Sequence, residues 1–136
     1  ELDFKVSHTP ASHKKVLLTH LDWNLQRLDE VLKQGETDYF KSAALQRFGH
    51  TYAMAIKSIH GFGAPDEIKE IKDEECIKLA TQKGWTLDPH KWEEMITDYQ
   101  CINQNPDNQK TEAVYQKLPD YQQTLQNLYS KLQSLL

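Results

Sequence analysis

The amino-acid sequence predicts an all-α fold: an up-and-down four-helix bundle with one additional short helix. Three observations carry this. Apolar residues recur at steps of three and four along most of the chain, the spacing that lines one face of an α-helix. Capping residues, glycines and prolines punctuate that pattern. Strand-like alternation is absent from the 136 residues, and a chain of that length is expected to form one domain, 1–136.

Thr9-Pro10 marks the first helix start, with Thr9 as cap and Pro10 at the first helical position. Leu17, Leu21, Leu25, Leu28 and Leu32 then form a stripe, and Gly35 is expected to stop the helix. Thr37 or Asp38 caps the second helix. It should run to about His60 and end at Gly61 and Gly63. Its core face reads Phe40, Ala44, Phe48, Tyr52, Ala55 and Ile59. Beside that face run Gln46, His50, Ala53 and Lys57, then Arg47 and Thr51, a polar edge along a core helix.

Pro65-Asp66 opens the third helix, with Ile68, Ile71 and Leu79 on its apolar side and Gly84 closing it. Its run of Glu67, Glu70, Asp73, Glu74 and Glu75, interleaved with Lys69 and Lys72, reads as a solvated face. Asp88-Pro89 is a second cap-plus-proline start, for a short fourth helix carrying Trp92, Met95, Ile96 and Tyr99. Asn103 to Asn108, with Pro106, is a break. The last helix carries Val114, Leu118, Tyr121, Leu125, Leu128, Leu132 and Leu135 at near-heptad spacing. Pro119 falls inside it and should kink it. Tyr115 and Tyr129 lie off the stripe, where they either cap the core or feed a dimer interface.

Composition excludes several functions. Net charge is −4 with histidine neutral, and no basic block stands out, so bulk binding of nucleic acid is not expected. No apolar run reaches membrane-span length, which leaves a cytoplasmic protein as the expectation and no membrane partner. Cys76 and Cys101 stand outside any metal or redox spacing and read as plain thiols. The six histidines form no zinc motif, and Gly61-Phe62-Gly63 is too short to cradle a phosphate. No carboxylate pair suited to metal-dependent phosphoryl transfer is visible.

Gln46, Arg47, Phe48, Thr51, Tyr52, Ala55 and Lys57 match in register the second-helix pattern of a known family. The chain resembles the nucleotidyltransferase substrate-binding proteins, within the wider HEPN group of helical bundles. Glu1 to Phe4, Pro65, Trp92-Glu93-Glu94-Met95 with Asp98, and Thr111, Val114, Tyr115, Pro119 and Tyr121 extend the likeness over nearly the whole chain. It departs where relatives carry two glutamates, here Gly49 and Ala53. It departs again where toxin members carry the Arg and His of a ribonuclease site, here Tyr99 and Gln104.

The resemblance implies a non-catalytic substrate-binding subunit of a separately encoded minimal nucleotidyltransferase, in a toxin–antitoxin type pair. The partner enzyme would supply the metal and the nucleotide, so no cofactor is expected on this chain. Self-association as a homodimer or higher oligomer is also implied. The polar contributors to the family groove would be Gln46, Arg47, His50, Thr51, Lys57, Asp98, Tyr99 and Gln104. An Arg47–Asp98 bridge is the purely structural alternative for two of them. A HEPN-type ribonuclease toxin and a stand-alone helical interaction module are the alternative functions.

Overall fold

The expected caps at Thr37 and Asp88 are made by hydrogen bonds. The computed structural model describes residues 11–63, 72–86 and 88–136, and all regular structure among them is helical. Five helices follow one another: α1 (Ala11–Leu32), α2 (Asp38–Gly63), α3 (Asp73–Gln82), α4 (Pro89–Ile102) and α5 (Asn108–Gln133). Thr37 is the cap of α2, its Oγ1 accepting from the Phe40 N–H at 3.3 Å. Asp88 caps α4 by accepting from the Lys91 N–H, with Pro89 first in the helix. Asp107 does the same for α5 through the Lys110 N–H.

Gly84 closes α3 as expected. Its φ is +78°, and the N–H groups of Gly84 and Trp85 bond back to Thr81 and Ala80. That pairing is the left-handed helix stop which glycine adopts without steric cost. The expected opening of this helix at Pro65-Asp66, with Ile68 and Ile71, and the start at Thr9-Pro10 lie outside the described residues. Within them α3 begins at Asp73 and is the shortest helix, with 10 residues against 14 in α4.

Two glycines lie at the end of α2. Gly61 is inside the helix, and Gly63 is its last described residue. They are sites of close approach. A Cβ on Gly61 would collide with Leu17 Cδ1, and one on Gly63 would sit 2.8 Å from Leu79 Cδ2 and 3.0 Å from the Trp85 ring. Gly49 differs, since a Cβ there would meet Tyr99 and Ile102 at 3.7 and 3.9 Å, ordinary contact. Opposite outcomes follow in urea denaturation. Gly49→Ala should stabilise by about 0.5–1 kcal/mol through helix propensity. Gly63→Ala should destabilise by about 1–2 kcal/mol, because the indole it meets is rigid and buried. Equal effects at the two sites would refute this account.

Helix α2 touches all four other helices, and α1 touches α5. Residue pairings give their relative directions. Thr51 meets Asn24 and Gly61 meets Leu17, so α1 and α2 are antiparallel. Lys41 pairs with Glu112, and Phe48 stacks on Tyr121, so α2 and α5 run parallel. Tyr52 meets Tyr99 while Gly49 faces Ile102, so α4 opposes α2.

The core holds the leucine stripe of α1, the Phe48 face of α2, Trp92 and Met95, and Val114 to Leu132 of α5. Leu135 departs from the expected stripe: α5 ends at Gln133, and Leu135 lies beyond it, exposed. Pro119 sits on the exposed side of an α5 that is helical throughout. Tyr115 and Tyr129 pack against the core, half-buried. Both cysteines are free, and burial, with Asp73 and Glu75 nearby, pushes the Cys76 thiol up to about 11.

Candidate functional site

The eight residues expected to share a groove occupy three different environments. Gln46, His50 and Lys57 lie on the exposed stripe of α2. Arg47 and Thr51, on the flank beside it, turn toward α1. The Thr51 hydroxyl is fully buried, 2.7 Å from the Arg47 carbonyl and 3.3 Å from the Asn24 carbonyl. It is therefore a packing residue at the α1–α2 contact. The Arg47 guanidinium lies over the Trp23 ring at 5.5 Å, and Arg27 lies over the same ring at 5.2 Å. Cation–π attraction of this kind holds long side chains against an indole.

Asp98 belongs to a second environment, between α4 and α5. Its Oδ2 accepts from the Tyr121 hydroxyl at 2.5 Å and from Lys117 at 3.1 Å. Lys117 also pairs with Glu94, and Lys91 bridges Glu94 and Asp120. The Arg47–Asp98 bridge is not formed. The reason is geometric: α2 presents Arg47 to α1, whereas α4 presents Asp98 to α5. Burial opposes the charge on Lys117, but its bonds to Asp98 and Glu94 outweigh that and hold its pKa above the ordinary value.

Tyr99 and Gln104 make the third environment. The Tyr99 ring packs on Tyr52 with centroids 4.4 Å apart, and Gln104 is exposed just past the end of α4. Tyr52 is itself buried and donates its hydroxyl to Asp73 at 2.9 Å. One member of the acidic run on α3 is thus a partner of the core, not only a solvated charge.

Burial, followed by the carboxylate each donates to, raises the pKa of both Tyr52 and Tyr121 well above the ordinary tyrosine range. The sign of the pH effect follows. The unfolded chain ionises these phenols near pH 10, while the fold holds them neutral. Their contribution to stability is complete below about pH 10 and is lost as pH climbs further. In an alkaline titration of the six tyrosines, Tyr52 and Tyr121 should gain tyrosinate absorbance only together with loss of helical circular dichroism. Ionisation of all six in the folded protein would refute the assignment.

Sequence reasoning missed Trp23 and Arg27, which form one surface with Arg47, and it missed Lys117 as the cation on Asp98. The spacing of Trp23 and Arg27, one helical turn apart and off the leucine stripe, was the available signal. Cavities among the described residues lie elsewhere. One, of about 370 Å³, is walled by Trp85, Lys91, Trp92 and Asp120. Another of about 400 Å³ lies beside Lys41 and Glu112. No three His, Cys, Asp or Glu among the described residues are grouped to hold a metal ion, and none of their helices is long and apolar enough to cross a membrane.

The chain was compared with known proteins. Residues 17–134 match the model of the family described as nucleotidyltransferase substrate binding protein like. A crystal structure of a protein from Thermus Thermophilus superposes with a TM-score of 0.74 at 22% identity, covering 82% of this chain and 98% of that one. At that identity the likeness is one of fold. No curated protein matches the chain. The family match runs from the leucine stripe of α1 to the end of α5, and the chain belongs to the nucleotidyltransferase substrate binding protein like family.

Proposed function

We propose that this chain is a substrate-holding subunit, without catalysis of its own, that works with a separately encoded minimal nucleotidyltransferase. The observation that carries the reading is the family match over residues 17–134. In this reading the partner enzyme brings the metal and the nucleotide, and the pair is of toxin–antitoxin type in the cytoplasm. The chain is one domain, with α1, α2, α4 and α5 as the up-and-down four-helix bundle and α3 as the additional short helix. It self-associates through bundle faces. The α2 edge of Gln46, Arg47, His50 and Lys57 faces the acceptor, while Thr51, Asp98, Tyr99 and Gln104 shape and brace the helices behind it.

Co-expression of the tagged chain with a small nucleotidyltransferase encoded beside it is the direct test. Recovery of a stoichiometric complex is the expected result. Failure to bind any such neighbour would sink the reading. The ribonuclease alternative is disfavoured by particular side chains. Tyr99 is packed on Tyr52, and Gln104 carries neither a positive charge nor an imidazole. Phosphodiester cleavage by toxin relatives needs a cation for the phosphate and a group that moves a proton.

A further inference from the structure

The attachment of α3 differs from that of the other helices. It is the shortest, with 10 residues, and among the described residues it touches only α2 and α4. Helix α4 is little longer, yet it places Trp92 and Met95 in the core, whereas the buried residues of α3 are Cys76, Ile77 and Ala80. Two of those three are small, so docking α3 removes little apolar surface from water. A helix of this length is marginal at best by itself, so α3 is helical because it is docked.

The two ends of α3 are held in different ways. At its first residue, Asp73 accepts from the buried Tyr52 hydroxyl at 2.9 Å, which ties the start of α3 to the middle of α2. At its far end the half-buried Leu79 rests in the gap left by Gly63. Gly84 then stops the helix with φ at +78° and free space where a side chain would be. Glycine absorbs changes in backbone dihedrals at little steric cost, which suits a hinge. Trp85, the next residue, is buried against Gly63 and edge-on to Phe62, so the chain is anchored again directly after Gly84. One hydroxyl pair, Thr81 with Thr86 at 3.0 Å, spans the hinge.

We propose that α3 is a lid that opens as one unit about Gly84 while α1, α2, α4 and α5 stay packed. Its latch is the Tyr52–Asp73 bond. Opening uncovers Tyr52, whose ring packs on Tyr99, and Ile96, which faces Ile77 across the α3–α4 groove. A strip of α2 and α4 that the closed form hides is thereby exposed. The inference goes beyond the substrate-holding reading and is independent of it, because it concerns what holds α3 and not what α2 binds.

The chain carries its own probe. Cys76 is 1% exposed, Cys101 is partly exposed, and both thiols are free. The full chain is labelled with N-ethylmaleimide at concentrations where the rate is proportional to reagent, so that the rate at Cys76 reads the open fraction. Peptide mass spectrometry separates the two thiols. Cys101 should react promptly and Cys76 slowly. Asp73→Ala should speed Cys76 about tenfold, because closing the lid then strands the Tyr52 hydroxyl. Labelling of Cys101 should not change.

The deciding variant is Leu28→Ala, on the one core stripe of α1, a helix that α3 does not touch. It should raise the global unfolding constant about thirtyfold or more, read from urea melts. Cys76 labelling should change by less than about twofold. Val114→Ala, on α5, replaces it if Leu28→Ala does not fold. Hydrogen exchange of the α3 amides should give one open fraction, the same as that from Cys76.

The lid is overturned if Cys76 labelling rises in step with the global constant, since only whole-chain unfolding would then expose it. Equal labelling of Cys76 and Cys101 would mean that α3 is not closed in the native state, and also overturns it. So does an unchanged rate in Asp73→Ala, or exchange of the α3 amides one by one from its ends, which is fraying. Capture of a nucleotidyltransferase reads a different property, so its failure and failure of the labelling test are separate results.

Discussion

Phe48→Ala is expected to destabilise the protein by about 3–5 kcal/mol, the usual cost of deleting a buried aromatic side chain. The residue is fully buried. Its ring stacks on Tyr121 at 5.4 Å and leans on Tyr52 at 6.3 Å. It sits on α2, the helix that contacts every other helix. The void would therefore open between α2 and α5, beside the Tyr121 ring. A domain of this size has roughly 5–15 kcal/mol to lose, so the variant should be marginal. Phe48→Leu keeps most of the volume and should cost about half as much or less, with loss of the ring contact as the main term. Gln46→Ala, two residues away on the exposed stripe, should stay within about 0.5 kcal/mol of wild type. Urea melts of the three variants decide it. An alanine cost near that of Gln46→Ala would mean that the Phe48 face is not the core.

Much of this architecture was legible in the sequence because it is set locally. The Phe48 stripe is a matter of periodicity. The starts at Thr37 and Asp88 and the stop at Gly84 are matters of which side chain can reach a backbone N–H or which residue accepts positive φ. What failed was set by neighbours far along the chain. Gly61 looks like a stop to any local rule, yet it lies inside α2 and is small because Leu17 comes so close. Leu135 continues a spacing after the helix that gave the spacing meaning has ended. Arg47 and Asp98 have matching charges, and nothing in their local pattern says that one faces α1 and the other α5. The site suffered most, since grouping polar residues requires knowing which helices adjoin. Trp23 reads as a core residue by type, and only the placement of α2 beside α1 reveals it as a surface indole flanked by two arginines.

Asp98→Ala should be the most costly polar substitution, at about 2–3 kcal/mol. Asp98 is 9% exposed, and its carboxylate serves both the fully buried Tyr121 hydroxyl and Lys117. Removing it leaves a buried phenol with no acceptor, and the penalty for an unpaired buried donor exceeds the net worth of the bond itself. The Lys117 share must be small, because that side chain is 39% exposed and retains Glu94 at 3.1 Å. The prediction is therefore asymmetric. Tyr121→Phe alone should cost about 1–1.5 kcal/mol, since Asp98 keeps Lys117. Adding Tyr121→Phe to Asp98→Ala should recover part of the loss, because the orphaned hydroxyl is gone. Lys117→Met should cost less than either single change. A double-mutant cycle by urea denaturation measures all of these terms. If the two substitutions at 98 and 121 simply added, the hydroxyl would not be held by this carboxylate. If Lys117→Met cost as much as Asp98→Ala, the α4–α5 contact would rest on charge at the surface and not on the buried phenol.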